Sequence, residues 1–444
     1  MDVHRDFCEI AVMEDGRLRS AGRVASTVEQ LGLFAGSLAA DDVVALEATS
    51  GAGLIAEIIE PHVAAVLVAN TRKLPQISKA KAKTDQLDAR TLARLAASDL
   101  LETVWAPDER TRALRRLCAR REALVRARTR SKNEAHAVPA RNLCGRPPVT
   151  DCFGKRGRVW LAGLQLPLDE RLTLDGCLRQ IDFLDSEIAA LEAALAVEAL
   201  GSPEILRLMT VPGVSLHTAA AFMASVGDIG RFASARQLVG YLGLDPRVRQ
   251  SGNGEARHGR ISKAGSSLAR GMLGEAAWSV AQTPGPLRAF FERIRARKGP
   301  QVAATATARK LACLFWCLLT RREDYAYARP SMTRSKVRQL ELAAGAPRRK
   351  GVRGIAGNKN VQTREAEREL ARQAEIAYRR TIADWSAIRP AKAGAGVTPG
   401  ARIFKALEGQ SRAADSVKPQ RSALRYVNHP HPPKRSQTKA AAAT

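Results

Sequence analysis

The chain has 444 residues, 45% of them hydrophobic, enough for two or three domains with real cores, which excludes an unfolded polyelectrolyte. Its 71 Lys and Arg against 44 Asp and Glu give a formal charge of +27, beyond what solubility requires, and point to a polyanionic partner, nucleic acid first. Seven cysteines without a Cys-x-x-Cys pair argue against a disulfide framework or a structural zinc site and suit a reducing, cytoplasmic setting.

Residues 2 to about 100 alternate between strand and helix patterns. "FCEIAVM" and "LRSAGRVA" flank the turn signal "EDGR" and read as a hairpin. "TVEQLGLFAGSLA" is helical, "VVALE" is a short buried strand ending in Glu47, "GAGLIAEIIEP" is a helix stopped at Pro61, and "VAAVLVAN" is a further strand. The helix after it holds "KAKTDQLDARTLARL", with Thr84 as N-cap and Leu87, Leu92 and Leu95 in an apolar stripe. Asp85 and Asp88 fall on neighbouring turns of one face; alone, they are ordinary acids favoured by the helix dipole. This order predicts an α/β, RNase H-like unit over residues 1–105.

Residues 106–200 are predicted to be a helical, coiled-coil-like region. "DERTRALRRLCARREALVRARTR" is a strongly basic helix from Asp108 to about Arg130, followed by a Pro/Gly interruption at "VPARNLCGRPPV". Leu174, Leu178, Ile181, Leu184, Ile188, Leu191 and Leu195 then recur at three- and four-residue steps. That seam fits another chain or a helix of its own subunit equally well. Residues 201–322 form a second compact, mainly α unit. In it "LMTVPGVSLHTAAAFMASVGDIGRF" reads as two helices around a "PGV" turn, helix-hairpin-helix-like, with a plain αα-hairpin as the alternative. The run "LACLFWCLL" is too short to span a bilayer, so no membrane partner is expected. Residues 323–444 are a basic, mostly disordered tail that includes "KVRQLELAAGAPRRKGVRGIAGNKN", with a helical piece near "VQTREAERELARQAEIAYRRTIADW".

Asp2 stands on the first strand, Glu47 at the end of a central strand, and Asp85 and Asp88 on the next helix. Four carboxylates converging there would take hard cations such as Mg²⁺, and two ions can clamp both oxygens of a phosphodiester exchange. Lys and Arg nearby would hold the substrate phosphates.

"MDVHRD", "ALEATSGAG" and "KAKTDQLDARTLARL", in this order and spacing, resemble the motifs of the DEDD transposases of bacterial insertion sequences, the one-ten/one-sixteen group. That group includes pilin-gene invertases and bridge-RNA-guided recombinases. The resemblance implies that Asp2, Glu47, Asp85 and Asp88 are the metal-binding tetrad of a RuvC-like domain. Members of the group carry several apolar residues before the first aspartate. Only Met1 precedes Asp2 here, so the first strand is expected to be truncated and the true start to lie upstream.

"YLGLDPRVRQSGNGEARHGRISKAGSSLARGML" resembles the C-terminal transposase domain of the same group. By residue chemistry alone Ser251 is a turn residue in Ser-Gly-Asn-Gly. The resemblance implies instead that Ser251 is the nucleophile, freed by Gly252, with Ser262, Ser266 and Ser267 as fallbacks. Arg249, Arg257, Arg260, Lys263 and Arg270 would contact phosphates, and His258 is a weaker candidate. The implied activity is cutting and rejoining of donor and target DNA through a phosphoserine intermediate, with two Mg²⁺ ions, a guide RNA and a homo-oligomer, in the bacterial nucleoid. Two rivals stand beside it: a RuvC-like nuclease or junction resolvase, and a non-enzymatic basic nucleic-acid-binding protein.

Overall fold

The computed structural model of the protein describes residues 1–70, 74, 84–252, 254–348 and 355–388. Met1–Thr381 form one compact unit, and Ile382–Thr444 are assigned to a second.

The first strand, β1 (Asp2–Val3), pairs antiparallel with β2 (Phe7–Glu14), which pairs antiparallel with β3 (Arg17–Ala25). Asp15 and Gly16 close that hairpin with φ of 47° and 75°, the left-handed pair that matches strand twist. β4 (Val43–Glu47) runs parallel to β5 (Ala65–Ala69), and β6 (Thr103–Val104) is antiparallel at the edge. Met1 joins the two sheets. Its amino group donates to the Ala45 carbonyl at 2.7 Å, and its carbonyl accepts from Glu47 N at 3.3 Å, the alternation of a parallel pair. The strand order is therefore β3-β2-β1-β4-β5-β6.

Helices α1 (Val28–Gly36) and α2 (Ala52–Ile59) complete the core of Cys8, Ile10, Leu31, Leu46, Ile55 and Ile59. Helix α3 (Asp85–Ala97) lies against β1, β2, β3 and β4. Its buried positions are Asp88, Ala89 and Leu92; Leu87, expected in the apolar stripe, is exposed. A carboxylate thus shares the buried face of this helix.

Two 33-residue helices follow, α4 (Glu109–Arg141) and α6 (Leu168–Leu200), antiparallel, with the short α5 (Lys155–Ala162) near their closed end. Leu174, Cys177, Ile181, Ile188 and Leu195 are buried, and α6 packs along α4 of the same chain. The basic helix runs past its expected end and carries Pro139 within its last turn. Ala135, Val138, Leu161 and Leu174 form a buried cluster there, and that burial offsets the backbone bond the proline cannot make.

The rest of the core is α7 (Pro203–Met209), α8 (Leu216–Val226), α9 (Ala235–Tyr241), the hairpin β7 (Pro246–Arg249) and β8 (Arg257–Ile261), α10 (Ser267–Ala281), α11 (Pro286–Lys298) and α12 (Pro300–Arg321). Phe222 and Phe315 pack edge to face at 5.0 Å among Leu208, Leu238, Leu273 and Leu311. The "LACLFWCLL" run is part of the 22-residue α12, long and apolar enough by length and composition to cross a membrane. Leu311, Phe315 and Leu318 are instead buried in this protein core.

Two elements correct the expected disorder. Helix α13 (Pro330–Ala343) forms because Leu340 is buried and Lys336 Nζ reaches the carbonyls of Met209, Val211 and Val214 at 2.7, 3.1 and 2.8 Å. Helix α14 (Ile355–Ile388) coincides with the expected helical piece, and buried Glu375 accepts from Gly285 N and Arg288 Nε at 3.1 and 2.9 Å. The basic tail from 389 lies outside the described residues.

Trp105 sits where the first sheet hands over to the helical core. Arg231 stacks on its ring at 3.6 Å and Arg115 approaches at 5.1 Å, while those arginines donate to the carbonyls of Val226 and Ala224. Gly227 has φ of 62°, and a Cβ there would stand 2.1 Å from the indole, so only glycine fits.

Candidate active site

Asp2 lies on β1, and His4 follows directly after the strand, in the turn that leads to β2. Asp2 is 3% exposed. His4 Nε2 lies 3.0 Å from Asp2 Oδ2 and 3.3 Å from Asp85 Oδ1. The His4 ring is held against Phe7 at 5.0 Å, and its backbone N donates to the Phe7 carbonyl at 2.9 Å. One ligand atom from each of Asp2, His4 and Asp85 falls within 4.8 Å of the others.

Asp85 opens α3, where Thr84 caps the helix by accepting from Leu87 N at 3.3 Å. Its half-exposed carboxylate therefore sits at the N-terminal end of the helix. Buried Asp88 follows one turn later. Glu47 ends β4, its backbone bonded to Met1 directly beside Asp2. The structure thus brings Asp2 and Asp85 together through His4, with Glu47 and Asp88 on the adjoining strand and helix turn. His4 was not singled out from the sequence, where it stands alone with no partner nearby to mark it. Two or more carboxylate oxygens and one imidazole nitrogen form a donor set that fits a divalent cation.

The β7–β8 hairpin carries the second group. Ser251 is exposed at its tip, with Gly252 at φ of 56°. Its carbonyl accepts from Gly254 N at 3.3 Å, and among the described residues its hydroxyl has no hydrogen-bond partner. The fallback serines are differently placed. Ser262 donates to Asp245 Oδ1 at 2.6 Å, Ser266 caps α10 and bonds Ser225 Oγ at 2.9 Å, and Ser267 begins that helix. His258 lies in β8 opposite Val248.

Arg249 and Arg257 face each other across the hairpin, and like charges so placed repel. Among the described residues, Arg249, Arg257 and Arg260 are exposed with no acidic partner. Lys263, also exposed, holds φ of 58°, a conformation that strains any side-chain-bearing residue. A Cβ on Gly265 would stand 2.0 Å from the Tyr241 carbonyl, so the glycine closing this loop is a packing requirement. Arg270 is engaged otherwise: its Nη1 donates to the carbonyls of Leu242, Ala264 and Gly265 at 3.1, 2.7 and 3.0 Å, bracing the loop, and burial lowers its pKa.

The contrast with α4 is sharp. Arg110, Arg121 and Arg128 pair with Glu198, Glu192 and Asp185 of α6, and Arg112 and Arg116 pair with Glu109. That basic helix is largely neutralised from within.

Residues 1–138 match a family model of the DEDD type named for IS110 and described as "Transposase", and residues 206–292 match one described as "Transposase IS116/IS110/IS902 family". Three of its curated relatives illustrate the likeness. A Pseudomonas aeruginosa "Probable family 20 transposase" is 30% identical over 261 residues, covering 55% of this chain and 74% of its own length. The transposase for insertion sequence element IS1111A of Coxiella burnetii is 29% identical, covering 55% and 68%. The transposase for insertion sequence element IS1328 of Yersinia enterocolitica is 26% identical, covering 63% and 84%.

Proposed function

The chain belongs to the IS116/IS110/IS902 family of insertion-sequence transposases, and on that premise we propose that it cuts and rejoins DNA with two separately built groups, a metal-binding acid set and a serine. The observation that carries this reading is the meeting of Asp2 and Asp85 around His4 at the centre of the sheet. The strand order, with β2 antiparallel between β3 and β1 and with β4 parallel to β5, supports an RNase H-like domain. In that fold ligands at strand ends and on a following helix form one site.

Asp2, Glu47, Asp85 and Asp88 would hold the cation, Mg²⁺ in one or two copies. When bound it supplies charge neutralisation at the phosphate and lowers the cost of deprotonating an attacking hydroxyl. Ser251 would lose its proton and bond through Oγ to the phosphorus, while one P–O bond of the DNA breaks and its sugar oxygen takes up a proton. The reverse step, with a different sugar hydroxyl as attacker, releases the serine and joins new ends. The two groups lie on different elements, so DNA binding and assembly of a homo-oligomer would complete the site, from the same chain or from a second copy. Arg249, Arg257, Arg260 and Lys263, all exposed, would hold phosphates, with Arg270 bracing the loop. The charge of +27 suits polyanionic partners, donor DNA, target DNA and a guide RNA among them.

A second reading is favoured by one fact: the acids assemble without Ser251. On that reading the protein is a nuclease whose acids activate water. Ser251→Ala separates the two. The transposase loses strand exchange and covalent adduct; the nuclease keeps cutting.

A further inference from the structure

We propose that His4 is itself a metal ligand, its Nε2 completing the coordination sphere of the cation held by Asp2 and Asp85 and shifting the site's preference from Mg²⁺ toward Mn²⁺. The inference rests on the metal-site reading above. Donors around an octahedral cation at about 2.1 Å stand about 3.0 Å apart along an edge and about 4.2 Å apart across the centre. The two Nε2-to-oxygen separations are 3.0 and 3.3 Å, and all three atoms fall within 4.8 Å. The two separations from Nε2 are those of neighbouring donors along an edge of one coordination sphere.

Hydrogen bonding alone accounts for this arrangement poorly. Nε2 carries at most one hydrogen, and that hydrogen points along one direction while two carboxylates of different elements face the same nitrogen. Among the described residues neither Asp2 nor Asp85 pairs with a lysine or arginine, although the chain has 71 of them. A cation between the three atoms satisfies all of them at once. The ring is prepared for this by its packing on Phe7 and by the bond from its backbone N, which fix where Nε2 points.

The consequence is selectivity. An all-oxygen set suits Mg²⁺, whereas an imidazole nitrogen is a favourable donor to Mn²⁺ and later first-row ions and a poor one to Mg²⁺. His4 would therefore strengthen Mn²⁺ binding and leave Mg²⁺ binding to the acids.

The test uses full-length protein without nucleic acid. Mn²⁺ is titrated by the loss of its free electron paramagnetic resonance signal, and Mg²⁺ is added as competitor. The expected result is that His4→Ala and His4→Gln each weaken Mn²⁺ binding about tenfold or more. Mg²⁺ affinity, read from competition, changes less than about threefold. Pulsed resonance of wild-type protein with Mn²⁺ should show coupling to one ¹⁴N nucleus, which His4→Gln removes; the wild-type spectrum needs no variant to fold. Wild type binding Mn²⁺ without nitrogen coupling, or variants keeping its Mn²⁺/Mg²⁺ ratio, overturns the role of His4 alone. Wild type binding neither ion overturns the metal reading and this inference with it.

Discussion

The acid cluster and the serine hairpin differ in almost every physical respect. Asp2 is buried on a central strand, Asp85 is set by a capped helix start, and His4 is packed on an aromatic ring. Ser251 stands exposed at a turn, its hydroxyl without a partner among the described residues, between strands whose arginines face each other. A cation needs donors fixed to within a fraction of an ångström, which a sheet provides. A nucleophile that must reach a phosphate in a DNA duplex needs access, which a hairpin tip provides. The charges divide the same way. Arg110, Arg121 and Arg128 of α4 are paired with acids of α6, whereas Arg249 and Arg257 of the hairpin are exposed with no acidic partner among the described residues. On the proposed function, the hairpin arginines without acidic partners are where a nucleic acid would sit.

The largest expected effect strikes each side of the comparison in turn. Ser251→Ala and Asp85→Ala should each lower recombination at least about a thousandfold, as removal of a catalytic nucleophile does elsewhere. DNA affinity should stay within about twofold, since no phosphate contact is lost. A recombination assay paired with a gel-shift titration reads both, and persistent recombination by either variant breaks the comparison.

Next in size is the junction between the two regions. Gly227→Ala drives a methyl group into Trp105 and forces alanine to a φ of 62°, so it should destabilise by about 2–4 kcal/mol in urea unfolding. Trp105→Ala in the same chain should restore only the steric part.

A smaller effect sharpens the charge contrast. Arg249→Ala and Arg257→Ala should each reduce the slope of log affinity against log salt by about 1. Arg121→Ala, paired with Glu192, should leave that slope unchanged and lower stability instead. Equal slopes for all three would mean that the hairpin has no privileged role.

The smallest concerns Lys336, whose burial lowers its pKa from 10.5 to about 8. The unfolded chain then holds more protons between those values, so the cost of burying the ammonium is fully present below about 8 and is relieved as pH rises toward 10.5. Lys336→Met should flatten the rise of unfolding free energy between pH 8 and 10 relative to wild type, checked by denaturant titration at each pH.

Local signals in the sequence transferred well to the structure. The Asp15–Gly16 turn, the Thr84 cap and the leucine seam of α6 each depend on residues within a few positions of one another. What stayed hidden depends on distant partners. His4 gains its meaning from Asp85, eighty-one positions away, and a lone histidine in "MDVHRD" says nothing of it. Pro139 is tolerated because burial against α6 outweighs a local rule, and α13 is held by one leucine and one lysine that composition alone reads as tail. Leu87 was misassigned to the buried face because helical periodicity does not reveal that Asp88 occupies it. Arg270 shows the same limit, its charge resembling a phosphate contact while its guanidinium reaches three carbonyls.

The most direct measurement of the central claim is mass spectrometry of tryptic peptides after reaction with DNA and Mg²⁺. A nucleotide-phosphate adduct on the peptide containing Ser251, absent when Asp85→Ala protein or chelator is used, is the predicted result. DNA cut to the same extent with that peptide unmodified would contradict it.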